Sequence, residues 1–163
     1  MSKPAYKEKY PHLFDPLVIK RGKNEVVFNN RIMMSPVGIV ATGGGADNGR
    51  INIFGVEHWT EFIRGGFSSV ALPMEIPKEG AHAGVFNMDV DDVNYMNMHL
   101  LQRSVHAYNG KTFAELIHGG RCMVAKGLEL KAAADGEYQG KPVKGMDRDD
   151  MEEVLQLCRE FAS

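Results

Sequence analysis

A chain of 163 residues, 44% hydrophobic and 25% charged, has the composition of a globular domain with a real core, which argues against wholesale disorder. Its formal net charge of -2, with scattered basic residues, leaves no electrostatic footprint for nucleic acid or an anionic membrane surface. Only Cys122 and Cys158 are present, with no CxxC pair, which argues against a disulfide scaffold and against a zinc or iron-sulfur centre.

The opening MSKPAYKEKYPHLFDP is polar and broken by proline, with no apolar stretch of signal-peptide or membrane-spanning length. The expectation is a cytoplasmic protein with reduced thiols. In KRGKNEVVFNNRIMMSP, two apolar runs at 26–28 and 32–34 flank Asn29, Asn30 and Arg31, which predicts a small hairpin leading into a buried strand. Pro36 cannot donate to a ladder and ends that strand, and the glycine-rich VGIVATGGGADNGR that follows is placed as an active-site loop.

Ile53, Val56, Trp59, Phe62 and Ile63 recur at helical spacing, and Gly65 and Gly66 supply the stop, so a helix is predicted over 53–64. A second strand is expected over 67–76, followed by a loop over 77–84. Asp91 or Asp92 is placed as the cap of a helix whose apolar face is Val93, Met96, Leu100, Leu101, Val105 and Tyr108. A third strand is expected over 112–118, then a polar stretch over 126–145 without periodicity. A last helix is capped by Asp147 or Asp149, with Met151, Val154, Leu155, Cys158 and Phe161 or Ala162 as its apolar side.

Hairpin, strand, helix, strand, helix, strand, loop, helix is an alternating order, which predicts a parallel α/β sheet with right-handed crossovers. About three βα units are present, where a closed (β/α)8 barrel takes ~250 residues.

Several alternatives are weighed residue by residue. GGGADNG lacks the lysine of a phosphate loop and carries Asp47, so a loop is the better reading. His82, Asp89, Asp91, Asp92 and His99 could be drawn as a metal cluster, but a helix cap with solvated neighbours outweighs it, and no metal is expected. Met33, Met34, Met88, Met96 and Met98 are assigned to the core. FAELIHGGR at 113–121 sets a carboxylate, Glu115, inside an apolar run and then breaks at Gly119 and Gly120. There His118 is assigned a bond to backbone, and Arg121 a structural fork to a carboxylate or carbonyl.

Four segments, in order, resemble the old yellow enzyme family of FMN-dependent oxidoreductases, in the branch of enoate and dienoyl-CoA reductases. PHLFDPLVIKRGKNEVVFNNRIMMSPV resembles that family's opening hairpin and first barrel strand, and FIRGGFSSV its turn into strand two. FAELIHGGR resembles its strand-three motif, in which a glutamine stands where this chain has Glu115, and MDRDDMEEVLQLCREFAS is similar to the helix before strand four.

The resemblance implies that the whole chain, 1–163, is a single partial domain: the N-terminal part of a flavin-binding (β/α)8 TIM barrel, incomplete on its own. It implies FMN as cofactor, NADH or NADPH as reductant, and an activated alkene, enone or enoyl compound as substrate. Backbone around Pro36, Val37 and Gly38 would line the isoalloxazine, the end of strand two near Met74 would touch the same ring system, and Glu115 would meet its pyrimidine edge. A carboxylate only accepts there unless it carries a proton. Catalytic residues are expected in strands that have no counterpart here. The rival expectation is a non-catalytic half-barrel that self-associates or is completed by another chain, because open strand edges invite pairing.

Overall fold

The computed structural model describes residues 4–37, 46–47, 50–75, 86–87, 92–122 and 129–162. Two short helices, α1 (Pro4–Lys9) and α2 (Pro11–Phe14), lead into an antiparallel hairpin of β1 (Leu17–Arg21) and β2 (Asn24–Phe28). Gly22 takes a φ of 62°, a left-handed conformation that suits glycine, and closes a turn that pairs Arg21 with Asn24. The hairpin partner of 26–28 is therefore 17–21, not the expected run at 32–34. Asn29 and Asn30 are anchors rather than a turn: the Asn30 side chain donates to the Gly66 carbonyl at 2.9 Å and accepts from the Ile32 amide, and Asn29 donates to the Asn109 carbonyl.

Beyond the hairpin come β3 (Met33–Met34) and a small antiparallel pair, β4 (Ala46–Asp47) with β5 (Arg50–Ile51). Then follow α3 (Ile53–Arg64), β6 (Ser69–Glu75), β7 (Phe86–Asn87), α4 (Asp92–Ala107) and β8 (Lys111–Ile117). β3, β7 and β8 all run parallel to β6, as the alternating order predicts, and β8 is in register with it from Ser69 opposite Lys111 to Glu75 opposite Ile117. Helix α3 spans the predicted residues because both ends are specified. The Asn52 side chain accepts from the Gly55 amide at 3.1 Å, and Gly65 returns its amide to the Glu61 carbonyl.

One face of the sheet carries the core. Val70, Leu72 and Met74 from β6 pack against Val56, Trp59 and Ile63 of α3 and against Leu101 and Val105 of α4. Met34, Met98 and Leu116 pack against this cluster, as core methionines should, but Met33 and Met96 are exposed and Met88 lies outside the described residues. Leu100 of α4 and Tyr108 just beyond its end are exposed like Met96, so only part of the predicted apolar side is buried. Of the loop expected over 37–50, residues 38–45 and 48–49 lie outside the described residues, and the rest is not all loop, because β4 and the first residue of β5 fall within it; the loop expected over 77–84 and the Asp91 cap also lie outside the described residues.

Gly110 sits where α4 meets β8, and a Cβ there would stand 2.7 Å from Cγ2 of the buried Ile63. Overpacking of this kind costs roughly 1–3 kcal/mol, so Gly110→Ala is expected to lower the urea midpoint visibly; an unchanged midpoint would show that Ile63 has room to move.

The stretch expected to be an irregular loop holds three strands, β9 (Leu130–Ala132), β10 (Gly136–Tyr138) and β11 (Lys141–Gly145). β11 pairs antiparallel with β10 and parallel with β9. Gln139 and Gly140, with φ of 52° and 74°, form the tight turn between β10 and β11. Pro142 is tolerated within the central strand because the ladder to β9 begins only at Val143.

Helix α5 (Arg148–Ala162) starts with a reciprocal cap: the Asp147 side chain accepts from the Asp150 amide at 3.0 Å, and Asp150 accepts from the Asp147 amide at 3.1 Å. Asp150 also pairs with the Lys131 ammonium, which ties α5 to β9. The hydrogen bond from Lys131, then that from the Asp147 amide, hold the Asp150 carboxyl below its ordinary value, and the same bond raises Lys131. A lowered carboxyl stabilises above about 3.8 and loses that contribution as pH falls through its folded value; a raised lysine stabilises below about 10.5 and loses it as pH rises. Asp150→Asn keeps the cap acceptor and removes the charge. It is expected to lower Tm at pH 7 and to match the wild type in strong acid; a difference that persists in acid would assign the effect to the cap instead.

Candidate functional site at the open end of the sheet

Strand parity decides which side chains share the face away from the helices. Val70, Leu72 and Met74 point to the helix side, so Ser69, Ala71 and Pro73 belong to the other face. Their register partners on β8 are Lys111, Phe113 and Glu115. Glu115 therefore lies beside Pro73 on the helix-free face, exposed, one position before Leu116, which turns back to the core.

The two ends of this face differ. Phe113 stacks on the buried Phe28 of the hairpin, with ring centroids 5.7 Å apart and planes 7° from parallel. The hairpin thus plugs the N-terminal end of the strands. At the C-terminal end Glu115 stays uncovered, and Pro36 and Val37 leave β3 at that same end, Val37 half exposed. Of the residues assigned to the flavin site, the structure brings Pro36, Val37 and Glu115 to one end of the sheet. Gly38 lies outside the described residues. Met74 is at the correct strand end, but its side chain is fully buried among α3 and α4, so only its backbone faces the site.

β8 breaks sharply after Ile117. The Gly120 amide donates to His118 Nδ1 at 3.0 Å, the backbone-bonded histidine that the sequence predicts. Gly120 takes a φ of 55° at the start of the 3-10 turn Gly120–Cys122, a conformation that side chains rarely adopt. Arg121 does not fork to a carboxylate among the described residues; its guanidinium lies 5.8 Å from the ring centroid of Tyr138 on β10, a cation–π contact. Among the described residues, no three of His, Cys, Asp and Glu come together in a metal-binding group, and no helix is long and apolar enough to cross a membrane.

A groove of about 580 Å³ opens between this turn, the β9–β10 connection and α5. It is not legible in the sequence, because most of its lining comes from the 130–146 stretch, which lacks apolar alternation.

No family model and no curated protein matches the chain. Solved structures do. An old yellow enzyme homologue from Zymomonas mobilis superposes with a TM-score of 0.74 at 20% identity, over 93% of this chain and 44% of that one. Morphinone reductase in complex with tetrahydroNAD gives 0.65 at 15% identity, over 93% and 47%. Histamine dehydrogenase from Rhizobium sp. 4-9 gives 0.71 at 13% identity, over 94% and 24%. The chain thus spans less than half the length of each of these proteins. It has the fold of part of the old yellow enzyme barrel, the opening hairpin with the first βα units, and this is the family that its sequence motifs resemble.

Proposed function

We propose that the chain forms the first part of an FMN-dependent NAD(P)H oxidoreductase of the ene-reductase type, with the flavin edge at Glu115 and the flavin face lined by backbone at Pro36, Val37, Gly38 and Met74. The observation that carries this is the polarity of the helix-free face: closed by Phe28 on Phe113 at one end, it leaves Glu115, Pro36 and Val37 together at the C-terminal end, where α/β barrels place their ligands. The donor set fits a flavin edge in part. Glu115 accepts one N–H; a phosphate grip is not among these residues. When bound, FMN supplies hydride chemistry toward an activated alkene, and NADH or NADPH regenerates it. The residues of this chain bind and orient.

The test is the visible spectrum of the purified chain after FMN addition and dialysis. A retained, perturbed flavin spectrum supports the proposal; a colourless protein sinks it for this chain alone.

A second reading has its own support. Among the described residues β8 pairs only with β6, so one strand edge is open to a second copy or a completing chain. Light scattering after size exclusion distinguishes the two cases, since a monomer at high concentration removes self-association.

A further inference from the structure

We infer that the open edge of β8 is a homodimer interface, where β8 of a second copy pairs antiparallel with it and the twofold axis passes at Phe113. The inference rests on the self-association reading above, in which Glu115 serves the strand edge rather than a flavin, and it commits that reading to one partner and one register.

Backbone direction shows which groups are available. The Lys111 amide donates at 3.0 Å to the carbonyl of Ser68, just before β6, and peptide groups alternate sides along a strand. Lys111, Phe113 and Glu115 therefore direct their N–H and C=O groups to β6, while those of Thr112 and Ala114 point to the open edge. Exposure agrees. Phe113, Ala114 and Glu115 are all exposed, Ala114 included, although its register partner Leu72 places it on the helix side of the sheet. Outward-pointing donors and acceptors at an exposed strand centre are a template for a further strand.

The side chains decide whose strand fits. Across a twofold axis the same patch meets itself, so if one residue stands opposite a second, the second stands opposite the first. With Phe113 at the axis, Lys111 of each copy stands opposite Glu115 of the other. Thr112 then stands opposite Ala114, so the outward-pointing peptide groups meet as hydrogen-bonded pairs. Phe113 meets its own copy as a non-hydrogen-bonded pair with Cα atoms about 4.5 Å apart, on the face where it already stacks on Phe28.

Other registers lose the match. An axis at Ala114 sets Phe113 against Glu115 and Lys111 against Ile117, and an axis at Glu115 sets two carboxylates together. An axis at Thr112 leaves Lys111 against Phe113. The charges that complement β8 are thus carried by β8 itself, and this singles out a second copy over a strand of unrelated sequence.

The test is sedimentation equilibrium of the 163-residue chain without flavin, so that its outcome is independent of any cofactor. The wild type is expected to dimerise reversibly. Lys111→Glu and Glu115→Lys each place like charges opposite one another twice across the axis, and each should weaken the dimer by at least about tenfold. The double variant Lys111→Glu/Glu115→Lys restores opposite charges and should recover the wild-type dimer, which a variant damaged in its fold would not do. A dimer indifferent to all three variants would overturn the β8 interface and leave self-association standing. A wild type that stays monomeric at high concentration would overturn both, and would leave the open edge to a completing chain.

Discussion

Trp59→Ala is expected to leave the chain largely unfolded at 37 °C. Trp59 is fully buried at the centre of the only extensive core among the described residues, between β6 and α4. Truncation of a buried tryptophan costs about 3–5 kcal/mol, a large fraction of the ~5–15 kcal/mol that holds a typical domain. The ring also meets Phe62, with centroids 6.1 Å apart, and Phe62 meets Phe67, so the loss spreads through an aromatic chain at the α3–β6 junction. The indole N–H finds no acceptor among the described residues. Trp59→Phe removes that unpaired donor and keeps most of the ring, so it should lose far less. Thermal melts of the two variants settle the matter: an alanine variant that melts within a degree or two of the wild type would mean that stability resides elsewhere.

The second large effect concerns Glu115. If its carboxylate meets a flavin N–H and a neighbouring carbonyl together, one contact is favourable and the other sets two acceptors against each other. Glutamine offers one donor and one acceptor and resolves the conflict. Glu115→Gln is therefore expected to tighten FMN by about tenfold, the size of one hydrogen bond gained and one repulsion removed, measured by flavin fluorescence quenching. Glu115→Ala, which offers neither group, should not tighten it. Identical affinity in all three proteins would place the flavin edge away from β8.

The elements that were legible in the sequence are those whose ends carry chemistry. Asn52 and Gly65 bracket α3, and Asp147 caps α5, so periodicity and caps agree. β6 and β8 are apolar runs between glycine and asparagine stops, and their parallel pairing follows from the helix between them. Failures arose where a competing signal was stronger. The apolar run at 32–34 looked like a hairpin arm because two asparagines preceded it, but those asparagines bond to Gly66 and Asn109, contacts between segments far apart in sequence. The turn itself, Arg21-Gly22-Lys23, is readable from its glycine.

The β9–β11 sheet is hidden in the sequence for a different reason. Its strands are three to five residues long, one contains proline, and none alternates cleanly. Gln139-Gly140 between Glu137-Tyr138 and Pro142-Val143 is nevertheless a hairpin signal, and it would have marked this sheet. The placement of Glu115, Pro36 and Val37 at one end of the sheet was legible because the ends of parallel strands follow from their order. Met74 shows the limit of that logic: position along a strand gives the end, but parity gives the face, and its neighbours Val70 and Leu72 fix Met74 on the helix side.

The claim that the C-terminal end of the sheet is a flavin site is tested most directly by amide shift mapping of the chain with FMN. Shifts concentrated at Val37, Glu115 and Leu116, with the hairpin turn at Gly22 and the Gly66 and Asn109 end unmoved, are the predicted result. Saturable FMN shifts confined to the hairpin end, or the absence of any, would contradict it.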